Sequence, residues 1–297
     1  MQRRAQADVR RRVDSRVAQR QRGAVEVGGL GVLTPREPGV RLVDQRDEIP
    51  VERLALARDA VQVGRGELEV GLRGERALEG AGRLVAALEV EGLDHLEVAR
   101  ADADGRGALV VGPHLGNWEL GAAKLTALGI PVAAVYRGPR QPALDRALRR
   151  LRGGEGEGGI EHIAMGRRAG VQFVRALTGG RNVLALLDQH ARGDEGVPVT
   201  FFGRPASTRF GPLKLAARVG APVLIASVRR SADRRRHTLT IEPALQLEPG
   251  ASDDEEILRR NLQQVTAELE RTIRANPGQW IWTHRRWREN PSETSAG

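Results

Sequence analysis

Cysteine is absent from all 297 residues. That excludes disulfides, thiolate metal sites and a thiol nucleophile, and it leaves the redox compartment undetermined. Aromatic side chains are almost as scarce, with four Trp, four Phe and one Tyr, and none of them precedes Trp118. Lysine occurs only at Lys124 and Lys214, against 45 arginines. So one-sided a usage fits a GC-rich coding sequence better than selection for phosphate contacts. No apolar run approaches the ~18 residues of a membrane-spanning helix, and the start of the chain carries no apolar signal-peptide core. No serine stands in a nucleophile-elbow pattern.

What is present is ordinary for a globular protein. Hydrophobic residues make up 40%, and this length can bury a substantial core in one large domain or two. A net charge of +9 invites a nucleic-acid reading, but its distribution argues for no nucleic-acid partner. Eight arginines between Arg3 and Arg22, offset by Asp8 and Asp14, put +6 into the first 22 residues and leave the remainder mildly basic. An arginine-rich surface would also suit an anionic membrane.

Residues 1–80 hold neither helical nor alternating apolar periodicity, and glycine and charge are scattered through them. They read as an atypical, arginine-rich and poorly ordered N-terminal segment. The texture changes from Gly82, where Leu84, Leu88, Val90, Leu93 and Leu96 recur. Short apolar runs predict strands at 108–111, 132–135, 183–187, 199–202, 223–228 and 239–241, and helical patterns fall at 120–128, 143–151, 169–177 and 212–219. Gly220 is placed to cap the last of these helices in the left-handed region. A further helix, capped by Ser252-Asp253, carries Leu258, Leu262, Val265, Leu269 and Ile273 and is stopped at Asn276-Pro277-Gly278. The alternation predicts an α/β fold: a mixed, mostly parallel sheet flanked by helices over residues 81–290, with 291–297 as a disordered tail. The glycine run 153–159, with Glu155, Glu157 and nearby His162, is read as a solvated loop rather than a pre-organised metal site.

The most informative stretch is His114-Leu115-Gly116-Asn117-Trp118-Glu119. On one regular helix, side chains five apart would diverge by ~140°. Gly116 and Asn117 favour a turn and a helix cap instead. The expected picture is a strand ending near Gly112, His114 on the turn, and Glu119 in the first turn of a helix. Such a carboxylate could orient the imidazole, which could then take a proton from a bound alcohol.

HLGNWE resembles the H-x4-D/E signature of glycerolipid-type acyltransferases, in the wording of the lipid A late-acyltransferase branch. Three further blocks resemble that branch in the same order: NVLALLDQH from Asn182 to His190, VTFFG from Val199 to Gly203 with Ala206 and Thr208, and WIWTHRRW from Trp280 to Trp287. The family normally begins with an apolar anchoring helix and an aromatic-bearing segment, which 1–80 lacks. A divergent N-terminus and a misassigned start or frame upstream of about Gly80 both account for that, and the second is favoured.

The resemblance implies acyl transfer from an acyl carrier protein thioester to a hydroxyl of a phosphorylated glycolipid, a lipid A precursor. It places the work at the cytoplasmic face of the bacterial inner membrane, with peripheral attachment, no metal and no bound cofactor. His114 would be the general base and Glu119 its orienter. Backbone N–H groups at the start of the helix after Gly116 are a plausible oxyanion stabiliser. Arg137, at a strand end, and Arg167 match family arginines and would grip substrate phosphate, although Gln141-Pro142 replaces the family's Asn-Pro. For Arg167 a plain surface charge is the competing reading. Asp188 and Gln189 would form the site floor or bind acceptor hydroxyls, with a structural role equally open. Phe201, Phe202 and Gly203 would line the acyl tunnel or simply pack the core. Trp280, Trp282 and Trp287 beside Arg285, Arg286 and Arg288 suit either a lipid headgroup boundary or an aromatic-arginine stack inside the fold. The alternative within enzymes is an acyl-CoA-dependent enzyme acting on another glycolipid, such as a phosphatidylinositol mannoside. Outside that reading stand a basic nucleic-acid-binding protein and a catalytically silent relative.

Overall fold

In a computed structural model, residues 82–136 and 159–288 are described, with positions 141 and 149 between them. The segment 1–80, the tail 291–297, Arg137, most of the helix expected at 143–151 and all but the last glycine of the 153–159 loop lie outside the described residues.

A short helix over 82–87 leads into strand β1 (Glu89–Glu91) and helix α1 (Leu93–Asp102). Then follow β2 (Leu109–Gly112), α2 (Trp118–Ala127), β3 (Val132–Tyr136), β4 (Glu161–Ala164), α3 (Ala169–Thr178) and β5 (Asn182–Leu186). A hairpin of β6 (Gly196–Phe201) and β7 (Arg204–Arg209) precedes α4 (Gly211–Arg218), β8 (Val223–Arg230), β9 (His237–Ile241) and α5 (Glu255–Ala275). Seven strands form one sheet in the order β1-β9-β8-β2-β5-β3-β4, and its pairs are parallel except β8 with β9. The mixed, mostly parallel sheet expected from the alternating pattern is the one observed.

The central strands are continuous apolar runs because helices cover both faces of the sheet. Alternation sorts their side chains. Leu109, Val111, Val183, Ala185, Val223 and Ile225 face one core, with Phe173 and Leu177 of α3, Leu213 of α4 and Leu258, Leu262, Val265 and Leu269 of α5. Val110, Val132 and Leu224 face the other, with Leu96 of α1 and Leu120 and Leu125 of α2. Gly220 has φ +65, the left-handed stop expected after α4. The α5 cap falls one residue later than the sequence suggested. Asp254 accepts from the N–H groups of Glu256 at 2.8 Å and Ile257 at 3.0 Å, while Ser252 donates its hydroxyl to Asp253 instead.

The connections locate the site. From β2 the chain passes through α2 to β3, beyond β5; from β5 the next strand of the main sheet is β8, beyond β2. Neighbouring strands β2 and β5 therefore send their chains in opposite directions. A crevice opens at their C-terminal ends, the usual place for a ligand in an open α/β sheet.

Candidate active site

His114 stands just past the C-terminal end of β2, and Asp188 just past that of the adjacent β5. The turn that carries His114 requires glycine. Gly116 has φ +59, and a Cβ there would lie 2.1 Å from the Val228 carbonyl oxygen. The same turn is stitched to the C-terminal segment: Gly116 N–H donates to the Gln279 carbonyl at 2.9 Å, and Ile281 N–H donates to the His114 carbonyl at 3.1 Å. The Gln279 side chain in turn bonds both backbone groups of Arg230, at 2.7 and 2.8 Å.

Asp188 is only 3% exposed, and three donors meet it. His114 Nδ1 lies 2.6 Å from Oδ1, while the His114 backbone N–H and the Trp280 indole N–H each reach Oδ2 at 2.7 Å. Burial by itself would push this carboxyl up. The hydrogen bond and charge of His114, with the Trp280 and backbone N–H bonds, outweigh it and hold the group below the usual carboxylate range. An ionised Asp188 accepts only, so Nδ1 of His114 is the donor in this pair, and in the neutral imidazole the lone pair falls on Nε2. The Gln189 amide nitrogen sits 3.2 Å from that Nε2, placed to donate to it. The edge of the Trp118 ring closes on the imidazole, with centroids 4.9 Å apart.

Nε2 belongs to a cavity of about 620 Å³ to which Glu119 and Gln189 also contribute. Behind the histidine, the cavity runs between the sheet and α2, with Val110, Leu184 and Val228 on one wall and Gly121, Ala122 and Leu125 on the other. Arg192, Arg209 and Arg288 line it too, with His190 and His284. Among the described residues no three His, Asp or Glu side chains converge to hold a metal ion. No helix among them is long and apolar enough to cross a membrane.

The structure brings together some of the expected residues and separates others. His114, Glu119 and Gln189 share the cavity. The carboxylate bonded to His114 Nδ1 is that of Asp188, and Glu119 lines the same cavity. Asp188 is buried, and both of its oxygens accept from protein donors. Arg137 lies outside the described residues. Arg167 is exposed in the turn between β4 and α3, two residues beyond Met165, which lines the cavity. Phe202 and Gly203 stand away from the cavity wall. With φ of +53 and +74 they form the two-residue tip of the β6–β7 hairpin. Phe202 stacks on Trp280 with centroids 6.1 Å apart, and its N–H donates to Glu270 of α5 at 2.6 Å. Phe201 is fully buried in the same aromatic cluster. The pair therefore supports the tryptophan that serves Asp188.

Of the two readings of the C-terminal block, the internal stack holds for Trp280, at 6% exposure, and for Arg286, at 1%. The Arg286 guanidinium lies 5.0 Å over the Phe201 ring and donates to the Ser207 carbonyl at 2.6 Å and to the Thr208 hydroxyl. Burial pulls it down to about 10, against the pull of Asp188, so it stays charged at neutral pH. Trp282 is on the surface. The Gly116 N–H, bonded to Gln279, is not free to serve an oxyanion. Sequence reasoning missed the convergence of His190, Arg192, His284 and Arg288. The only signal was that they sit inside or beside the DQH and HRRW blocks.

The family pattern described as bacterial lipid A biosynthesis acyltransferase matches residues 75–289. The chain belongs to that family. Among its relatives is the lipid A biosynthesis palmitoleoyltransferase of Escherichia coli, 29% identical over 209 residues, covering 70% of this chain and 64% of that protein. The E. coli lipid A biosynthesis lauroyltransferase is 28% identical over 243 residues, covering 80% and 73%. A phosphatidylinositol mannoside acyltransferase of Mycobacterium tuberculosis is 26% identical over 205 residues, covering 69% and 61%. The alignment thus spans just under two thirds of the palmitoleoyltransferase. Among solved structures, the 1-acyl-sn-glycerophosphate acyltransferase of Thermotoga maritima aligns at 16% identity and a TM-score of 0.38, over 77% of this chain and 90% of that one.

Proposed function

We propose that this family member transfers a fatty acyl chain from a thioester, carried on acyl carrier protein, to a hydroxyl of a phosphorylated glycolipid of lipid A type. The observation that carries the reading is the Asp188–His114 pair at the head of an apolar slot. His114 Nε2 takes the proton of the acceptor hydroxyl, whose oxygen attacks the thioester carbonyl. The tetrahedral intermediate collapses, the carbon–sulfur bond breaks, and His114 returns the proton to the departing thiolate. Asp188 stabilises the imidazolium in between without taking its proton. The acyl chain occupies the slot between α2 and the sheet. Glu119, at the head of that slot, acts on substrate or oxyanion geometry rather than on Nδ1. The chemistry asks for no metal and no cofactor. An acceptor held in a bilayer brings the enzyme to the cytoplasmic face of the inner membrane, and exposed Trp282 beside Arg285 suits a lipid headgroup boundary.

The test is transfer in detergent micelles from acyl carrier protein thioester to a tetra-acylated lipid A precursor. Wild type is expected to transfer, and His114→Ala to fall by ~100-fold or more while remaining folded. Transfer that survives the substitution would sink the base assignment. Acyl-CoA with a phosphatidylinositol mannoside as the preferred pair would move the chain towards the activity named for its mycobacterial relatives.

A further inference from the structure

The segment that follows β5 and the C-terminal segment that follows α5 are joined at the mouth of the cavity. The His190 backbone N–H donates to His284 Nε2 at 3.1 Å, and Trp280 reaches across to Asp188 on the same segment. Each segment then places an arginine against the cavity, Arg192 on one and Arg288 on the other. Both are exposed, and neither guanidinium has an ion pair or hydrogen bond among the described residues. The third arginine at the mouth, Arg209, is already neutralised by Glu195 at 2.6 Å. The other carboxylates near the mouth are also accounted for: Asp188 is closed by its three donors, and Glu119 lines the cavity on the α2 side.

Two imidazoles that the surroundings keep neutral line the same cavity as the two arginines. Burial, and then the charge of Arg288, depress both His190 and His284, so neither ring adds a positive charge of its own. His190 Nδ1 is a buried nitrogen without a hydrogen-bond partner among the described residues. The charge that would hold an anion there is that of the two guanidiniums, which line the same cavity as His114.

We propose that Arg192 and Arg288, held on either side of the His190–His284 joint, form a phosphate-binding site beside the Asp188–His114 pair. Its ligand is a phosphate monoester or diester group of a substrate, seated so that the neighbouring hydroxyl or thioester falls at His114. The inference deepens the acyl-transfer reading and takes its functional meaning from it, whereas anion binding can be measured without turnover. The phosphate belongs either to the glycolipid acceptor or to the phosphopantetheine arm of the donor, and the kinetics separate the two.

The experiment uses the full chain as wild type, Arg192→Gln, Arg288→Gln, the double variant and His114→Ala. Binding of inorganic phosphate is followed by the fluorescence of the tryptophans beside the joint, and KM for donor and acceptor is measured separately. Each arginine substitution is expected to weaken phosphate binding by about tenfold, with the double variant near a hundredfold, since each removes charge-assisted hydrogen bonds. His114→Ala should bind phosphate as wild type does. The kinetic loss should fall on KM rather than kcat. A rise in acceptor KM that disappears with a dephosphorylated acceptor assigns the site to the glycolipid, and a rise in donor KM assigns it to the carrier arm. If wild type does not transfer but phosphate binding still depends on both arginines, the site stands and the reaction reading falls. If transfer proceeds while the double variant keeps wild-type phosphate binding and both KM values, the site is overturned.

Discussion

At the residue scale, the decisive contact is between groups 74 positions apart, His114 and Asp188. Local sequence offered a nearer carboxylate, Glu119, as the acid that orients the imidazole. The contact with Asp188 was not legible there, because it depends on β2 and β5 lying side by side. Asp188→Asn tests the new assignment. It keeps the shape but removes the anion, so Nδ1 loses its preference for the proton and the base is presented as the wrong tautomer. The expected outcome is a loss of ~10²–10⁴ in kcat with little change in either KM. It should be accompanied by disappearance of the low-field Nδ1 proton resonance in the NMR spectrum of the folded protein. Asp188→Glu should recover part of the rate. A variant that keeps both rate and resonance would return the orienting role to Glu119.

At the element scale, α2 is both the carrier of the site and one wall of the slot. Gly121 faces that slot, and a Cβ placed on it would already meet Val228 Cγ2 at 3.1 Å and Leu239 Cδ1 at 3.6 Å. Gly121→Leu is therefore expected to fill the passage between α2 and β8. Measured with a series of thioesters, transfer of the longest chain that wild type accepts should fall by about tenfold or more relative to a shorter one. Equal losses at every chain length would place the acyl tail elsewhere. The long apolar strands and α5 were legible because burial on both faces, or along one stripe, writes itself into the pattern. Strands β1, β4 and β7 were not. Their sequences, EVE, EHIA and RPASTR, are short and largely polar. β1 and β4 become strands by pairing with β9 and β3, which no local window contains, and β7 by folding back on β6 across a two-residue tip.

At the scale of the whole molecule, pH couples the site to stability. His190, His237 and His284 are depressed, in each case chiefly by burial, from the ordinary value of 6.5. As pH falls below that value the unfolded chain takes up protons that the folded chain refuses, so stability declines. Asp188 acts in the same sense further down, because its depressed carboxyl stays ionised in the fold after an unfolded aspartate would be neutral. The thermal midpoint should therefore drop steadily from pH 7 to pH 5 and again below pH 4. Replacing His284 by Asn should flatten the upper part of that slope, and Asp188→Asn the lower part. A midpoint unchanged between pH 7 and pH 5 would mean that these histidines titrate in the fold as they do in the open chain.

The sequence by itself determined the kind of protein this is. Alternating apolar runs and helical stripes dictated an α/β sheet, since those periods have no other way to bury their hydrophobic faces. The HLGNWE and DQH blocks stand at the ends of apolar runs, which become the turns after β2 and β5. Only the tertiary structure decided how the blocks divide the work. It set Asp188 against His114, packed Phe202 on Trp280, and gathered Arg192 and Arg288 at the cavity. The physical reason is common to all three. Strand order, not distance along the chain, selects which side chains meet at the end of a sheet, and that order is settled by packing both faces at once.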